Sequence, residues 1–149
     1  MGSVLTDVGR NIIIKNMANG KPFVWTISIG NGHYDTGLLA PIAPATSETI
    51  LQSEFFRDQQ VQTINPTTAG VGSSPAIFFR HTFINQNVPA TGTAISFISE
   101  AGLFLKDFDS GLFTLVWLSS FQKFKFRVPA TGTAVVRDAP TLTGKVLIL

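Results

Sequence analysis

The 149-residue chain contains no cysteine, which excludes a disulfide framework and any cysteine-rich zinc site. It is also poor in charge. Asp, Glu, Lys and Arg make up 13% of the residues, against about 25% in an average soluble domain. The net charge of +2 comes without a basic cluster, so nucleic acid is not an expected partner. No apolar run approaches the roughly 20 residues that a membrane helix needs, and Ile12-Ile13-Ile14 is too short for the core of a signal peptide. Membrane insertion is not expected, and the lack of cysteine suits assembly in a reducing cytoplasm.

Catalytic templates are missing as well. No G-x-S-x-G elbow occurs, and Gly70-Val71-Gly72-Ser73-Ser74 has no lysine to make a phosphate loop. Gly30-Asn31-Gly32 lacks the third glycine of a dinucleotide fingerprint. His33-Tyr34-Asp35 has no third ligand at metal-binding spacing, so His33 reads as a loop hydrogen-bonding residue. His81, between Arg80 and Thr82, reads as a surface or subunit-contact residue on a strand. Asp107-Phe108-Asp109-Ser110-Gly111 starts like a calcium loop but lacks its remaining ligands, and a tight hairpin turn explains the same residues. The expectation is a protein that is not an enzyme, with no catalytic residues, metal or cofactor.

What the chain does have is 13 phenylalanines. A sequence this apolar and this weakly charged is expected to cover part of its surface with other subunits. The spacing predicts one helix over residues 4–19, with Thr6 as N-cap, Asp7 in the first turn and Lys15 near the end. Val8 with Ile12, and Ile13 with Met17, would form its buried face, and Asn19-Gly20 followed by Pro22 would stop it. Gly9 weakens the helix and points to close packing.

Residues 23–29 read as a strand, 36–49 as an ordered loop, and 50–64 as ambiguous, with a short helix conceivable in the first half and a strand at 61–64. From residue 76 onward the pattern is β: strands at 76–85, 93–98, 112–121, 122–128, 134–136 and 145–149. Phe124, Phe126 and Val128 alternate with Lys123, Lys125 and Arg127, the mark of a half-buried antiparallel strand. The string Val-Pro-Ala-Thr-Gly-Thr-Ala occurs at 88–94 and again at 128–134, and each copy reads as a hairpin turn within a duplicated unit. The fold class is therefore α+β, mainly β: one N-terminal helix packed on an antiparallel sheet or sandwich with hairpins.

Several strings, in order, carry a resemblance. They are residues 4–10 (Val-Leu-Thr-Asp-Val-Gly-Arg), residues 19–23 (Asn-Gly-Lys-Pro-Phe) and Gly30-Asn31-Gly32, then Glu54-Phe55-Phe56-Arg57 and residues 98–104 (Ile-Ser-Glu-Ala-Gly-Leu-Phe) before Asp109-Ser110-Gly111. Together they resemble the N-terminal, baseplate-docking region of phage tail-collar fibre proteins, with Asn31 where that family usually has aspartate. The resemblance covers about residues 4–118. It implies a docking domain over 4–121, followed by a C-terminal β-hairpin extension over 122–149.

It further implies a virion protein of the tail, assembled in the host cytoplasm as a homotrimer and partnered by baseplate and tail-fibre proteins. The chain carries no repetitive shaft, which points to a fibre base or adaptor. The alternatives are a receptor- or glycan-binding module using Trp25, Tyr34 and Trp117, or another virion part such as a capsid decoration or neck protein. Glu100, at the end of an apolar strand, requires a partner, and Arg57 is the expected one. Phe55, Phe56, Phe104, Phe108, Phe124 and Phe126 are the expected subunit or partner contacts.

Overall fold

The computed structural model describes residues 2–58, 62–64, 76–82, 95–127 and 141–147, with side chains described over 2–58 and 97–123. Strand β1 (Gly2–Leu5) leads directly into helix α1 (Asp7–Ala18). The expected helix start at residue 4 is thus corrected, because Val4 and Leu5 pair with Leu118 and Trp117. Thr6 is the N-cap: its hydroxyl accepts from the Gly9 N–H at 2.9 Å and donates to the Leu115 carbonyl at 2.5 Å. One small side chain therefore both starts the helix and fixes it to the sheet.

After α1 come β2 (Trp25–Gly30), β3 (Tyr34–Asp35), β4 (Ala40–Pro41) and β5 (Glu54–Asp58). They are followed by β6 (Gln62–Ile64), β7 (Ala76–Thr82), β8 (Ile95–Lys106), β9 (Phe113–Arg127) and β10 (Thr141–Leu147). The expected fold class holds: the described residues form one helix and a five-stranded sheet in the order β1-β9-β8-β2-β5, every pairing antiparallel, with a three-stranded sheet β10-β7-β6 and the short β3-β4 ribbon.

Two layers flank the five-stranded sheet. Ile12 and Ile13 of α1 pack on one face, in a cluster with Trp25, Ile27, Ile29, Leu103, Leu105 and Val116. On the other face Leu51, from the β4–β5 connection, packs with Phe104, Leu115 and Leu118. Alternation along β8 separates the two sets, as a two-residue repeat must. Val116 lies opposite the register shift between Leu103 and Phe104, a bulge that lifts this backbone towards α1. A Cβ on Gly9 would lie 2.5 Å from the Val116 Cα, so the glycine answers to contact with the sheet.

Three further expectations need correction. Met17 is 62% exposed; the buried position at that end of α1 belongs to Asn16, whose amide donates to the Lys106 carbonyl at 3.0 Å. Residues 54–58 form an edge strand instead of a helix, and strands 112–121 and 122–128 are one strand, β9. The boundary at 121/122 thus falls inside a strand, and β10 pairs with β7 instead of with its sequence neighbour. Both copies of the repeat, and the strand expected at 134–136, lie outside the described residues. The described strands on either side of them, β7 and β8, and β9 and β10, belong to different sheets.

Candidate functional site

The most elaborate polar cluster surrounds Glu100. This residue stands on β8 between Gly30 of β2 and Ser120 of β9. Irregular register adjoins it on both sides: β8 and β9 shift between Ile98 and Glu100, and β2 and β5 shift between Ile29 and Gly30. Bulges re-aim side chains. Here they turn Ser99 and Glu100 to the face covered by residues 31–53, where Ser99 donates to the Gly32 carbonyl at 2.6 Å.

The Glu100 carboxylate is fully buried, and its two oxygens receive four donors. Oε1 accepts from the Gly32 and Ser53 N–H groups at 3.1 and 2.6 Å. Oε2 accepts from the Gln52 N–H at 3.1 Å and from His33 Nδ1 at 2.6 Å. A carboxylate has about four lone-pair sites, and all are used. The glycines at 30 and 32 make this possible. A Cβ on Gly30 would lie 2.5 Å from Glu100 Oε1, and one on Gly32 would lie 2.6 Å from it.

His33 completes the cluster. Its Nε2 meets Glu48 Oε2 at 2.7 Å while Nδ1 meets Glu100. A carboxylate oxygen against each nitrogen suits an imidazolium, the form in which both nitrogens donate. Burial disfavours that charge, but the hydrogen bonds to Glu100 and Glu48 outweigh it and hold the His33 pKa above its ordinary 6.5. His33 has φ 48°, a left-handed backbone that histidine adopts more readily than most residues. The two carboxylates converge on the imidazole, and no cluster able to hold a metal occurs among the described residues.

The expected Arg57–Glu100 pair is therefore corrected. Glu100 does require a partner, but His33 and three backbone amides supply it. Arg57 sits on β5 opposite Ser28, where its guanidinium grips Glu54 through two 2.8 Å hydrogen bonds. Its Cζ lies 3.7 Å from the centre of the Phe104 ring. Arg57→Ala is expected to lower unfolding free energy by only about 1 kcal/mol, because exposed ion pairs and cation–π contacts are each weak. Urea denaturation of the variant checks this.

Phe104, expected at a partner surface, is buried beneath that guanidinium. Phe55 and Phe56 are half-buried against the core, and Phe108 lies half-buried under Lys106. Phe124 and Phe126 lie on β9 opposite Ile98 and Ser96, with side chains outside those described; the same holds for His81, opposite Leu142. The Asp107–Gly111 segment forms the expected hairpin turn: Asp107 Oδ1 accepts from the Asp109 N–H at 2.9 Å, and Gly111 adopts φ 73°. Lys15 closes it from the helix, 3.0 Å from Asp107 and 2.7 Å from Asp109. Those bonds, Asp109 first, raise the Lys15 pKa, while the Asp109 N–H and then Lys15 lower that of Asp107.

Several of the exposed described side chains are aliphatic. Leu38, Leu39, Ile42 and Ile50, all on the 31–53 segment, are exposed, as are Ile14 and Met17 on α1. Leu39 holds φ 53° while 60% exposed, a conformation that a bulky residue rarely adopts. Its carbonyl accepts from Gln122 Nε2 at 3.2 Å. No described helix is long and apolar enough to cross a membrane. Comparison with protein-family models, curated proteins and solved structures finds no match to this chain.

Proposed function

We propose that this chain is a structural protein of a bacteriophage tail, a fibre base or adaptor that joins tail fibres to the baseplate as a homotrimer. The observation that carries the reading is the convergence of three of the resembling strings. Gly30-Asn31-Gly32, Glu54-Phe55-Phe56-Arg57 and Ile98–Phe104 are far apart in sequence, yet they fall on or beside the neighbouring strands β2, β5 and β8. Gly32 and Glu100 are in direct contact through a 3.1 Å hydrogen bond. A shared structural cluster is a reason for those strings to occur together in one chain.

Two physical features agree with an assembly role. The exposed aliphatic side chains at 38, 39, 42 and 50 suit burial against another protein better than recognition of a polar small molecule. His33, with both ring nitrogens engaged, has no lone pair with which to act as a general base. The glycan-binding alternative gains little: Trp25 is buried, and the Tyr34 ring packs against Phe97 with Lys123 over it.

Cryo-electron microscopy of the virion tests the proposal. Density for this chain at the junction of baseplate and fibre is expected. Density on the capsid or neck instead would assign it to another structural part and reject the adaptor role.

A further inference from the structure

Residues 31–53 are held by the packing of Leu51, by Gln122 on β9, by the Asp7 N–H on the Thr46 carbonyl, and by a set of donors that meet one carboxylate. The N–H groups of Gly32, Gln52 and Ser53 and the His33 ring all end on Glu100. Glu48, on the outer side of the same segment, reaches His33 from the opposite nitrogen. Glu100 is wholly buried, whereas the Glu48 side chain is 28% exposed. The His33 ring thus joins a buried inner carboxylate to a partly exposed outer one.

We propose that His33 is a pH-operated latch, whose proton holds the Glu48 region of the 31–53 segment against β8 and whose loss releases it. A neutral imidazole has one donor and one lone pair, so one of its two contacts at 2.6–2.7 Å becomes a lone pair facing an anion. Glu100 keeps its backbone donors. Among the described residues Glu48 keeps only the Ala45 N–H at 3.0 Å, so the outer contact is the one that opens. The stretch around Glu48 adjoins the exposed Ile50, while Leu39 stays bonded to Gln122 and Ile42 to the His33 carbonyl.

The direction follows from linkage. A histidine whose folded pKa lies above the unfolded value stabilises the fold below the unfolded value, and that stabilisation is lost as pH rises through the folded one. Alkaline conditions therefore open the latch and mildly acidic ones keep it shut. Several other titratable groups nearby have partners of their own, and Asp7 on α1 adjoins the segment through its N–H on the Thr46 carbonyl. Glu54 and Arg57 on β5 bind each other, Asp35 caps the Gly37 and Leu38 N–H groups, and Lys123 on β9 lies over Tyr34 and Phe97.

The test is a pH series on the whole chain, reading His33 by imidazole NMR and the 36–50 region by limited proteolysis. A His81→Gln variant provides the resonance assignment. His33 is expected to titrate above 6.5, with cleavage between residues 36 and 50 rising across the same midpoint. Glu48→Gln, which leaves Glu100 and its donors intact, is expected to lower both midpoints together by about one pH unit or more. A His33 midpoint at or below 6.5, cleavage that does not follow it, or a Glu48→Gln variant in which only one midpoint moves would each overturn the latch.

Discussion

Glu100→Ala is expected to be the most damaging single substitution, lowering unfolding free energy by about 3–5 kcal/mol, the range for removing one partner of a buried ion pair. The variant strands the His33 imidazolium beside Glu48 alone and leaves the N–H groups of Gly32, Gln52 and Ser53 without their acceptor. Each orphaned buried donor costs about 1–3 kcal/mol when water cannot reach it. Some of that loss is relieved because Gln52 and Ser53 lie near the surface, which is why the sum of the separate costs overstates the total. Urea denaturation measures the effect. A Glu100→Ala protein with an unchanged midpoint would contradict the assignment of this carboxylate as the anchor of the 31–53 segment.

Gly9→Ala is the second large effect, and its sign is opposite to the usual one. Within an exposed helix this change gains about 1 kcal/mol. Here the new methyl would meet the Val116 Cα at 2.5 Å and the Val116 carbonyl oxygen at 2.7 Å, both backbone atoms that no rotamer change can move. The helix must lift away from the bulge, and that strains the Thr6 bonds to the Leu115 and Val116 carbonyls. Overpacking costs about 1–3 kcal/mol and a lost buried hydrogen bond a similar amount, so a net loss of about 3 kcal/mol is expected. Thermal or urea unfolding checks it; a neutral or stabilised variant would place the helix further from β9 than described.

Both substitutions show where the sequence is legible and where it is not. Thr6, Asp7 and Gly9 announce a capped helix with a close contact, and Asn19-Gly20 announces its end, because these signals act within one turn of the chain. Met17 was expected inside by helical spacing, yet Asn16 takes the buried place. The cause lies 90 residues away, at the Lys106 carbonyl that Asn16 reaches. Likewise Glu100 declares from its apolar surroundings that it needs a partner. The identity of that partner depends on two irregular registers and a left-handed turn at His33, none of which leaves a period in the sequence. Gly30-Asn31-Gly32 was the available signal: two glycines at alternate positions beside a strand end mark a place where something approaches the backbone closely, and that something is the Glu100 carboxylate. Residues 54–58 became a strand because the open edge of β2 offered a ladder of hydrogen bonds that local propensity does not record.

The arrangement separates two roles along one segment. At its base, buried polar groups fix residues 31–33 and 51–53 to the sheet. Towards its tip, aliphatic side chains at 38, 39 and 42 face outward, supported from below by the contacts of Tyr34 and Leu39 with Gln122. Under the proposed docking role, an apolar tip already positioned by its base would lose less entropy on binding.

Sedimentation velocity of the purified chain at micromolar concentration tests the assembly role most directly. A single species with three times the 16.1 kDa chain mass is the predicted result. A monomer that stays folded and monodisperse as concentration rises would contradict it, because such a chain would need no second copy to cover its apolar surface.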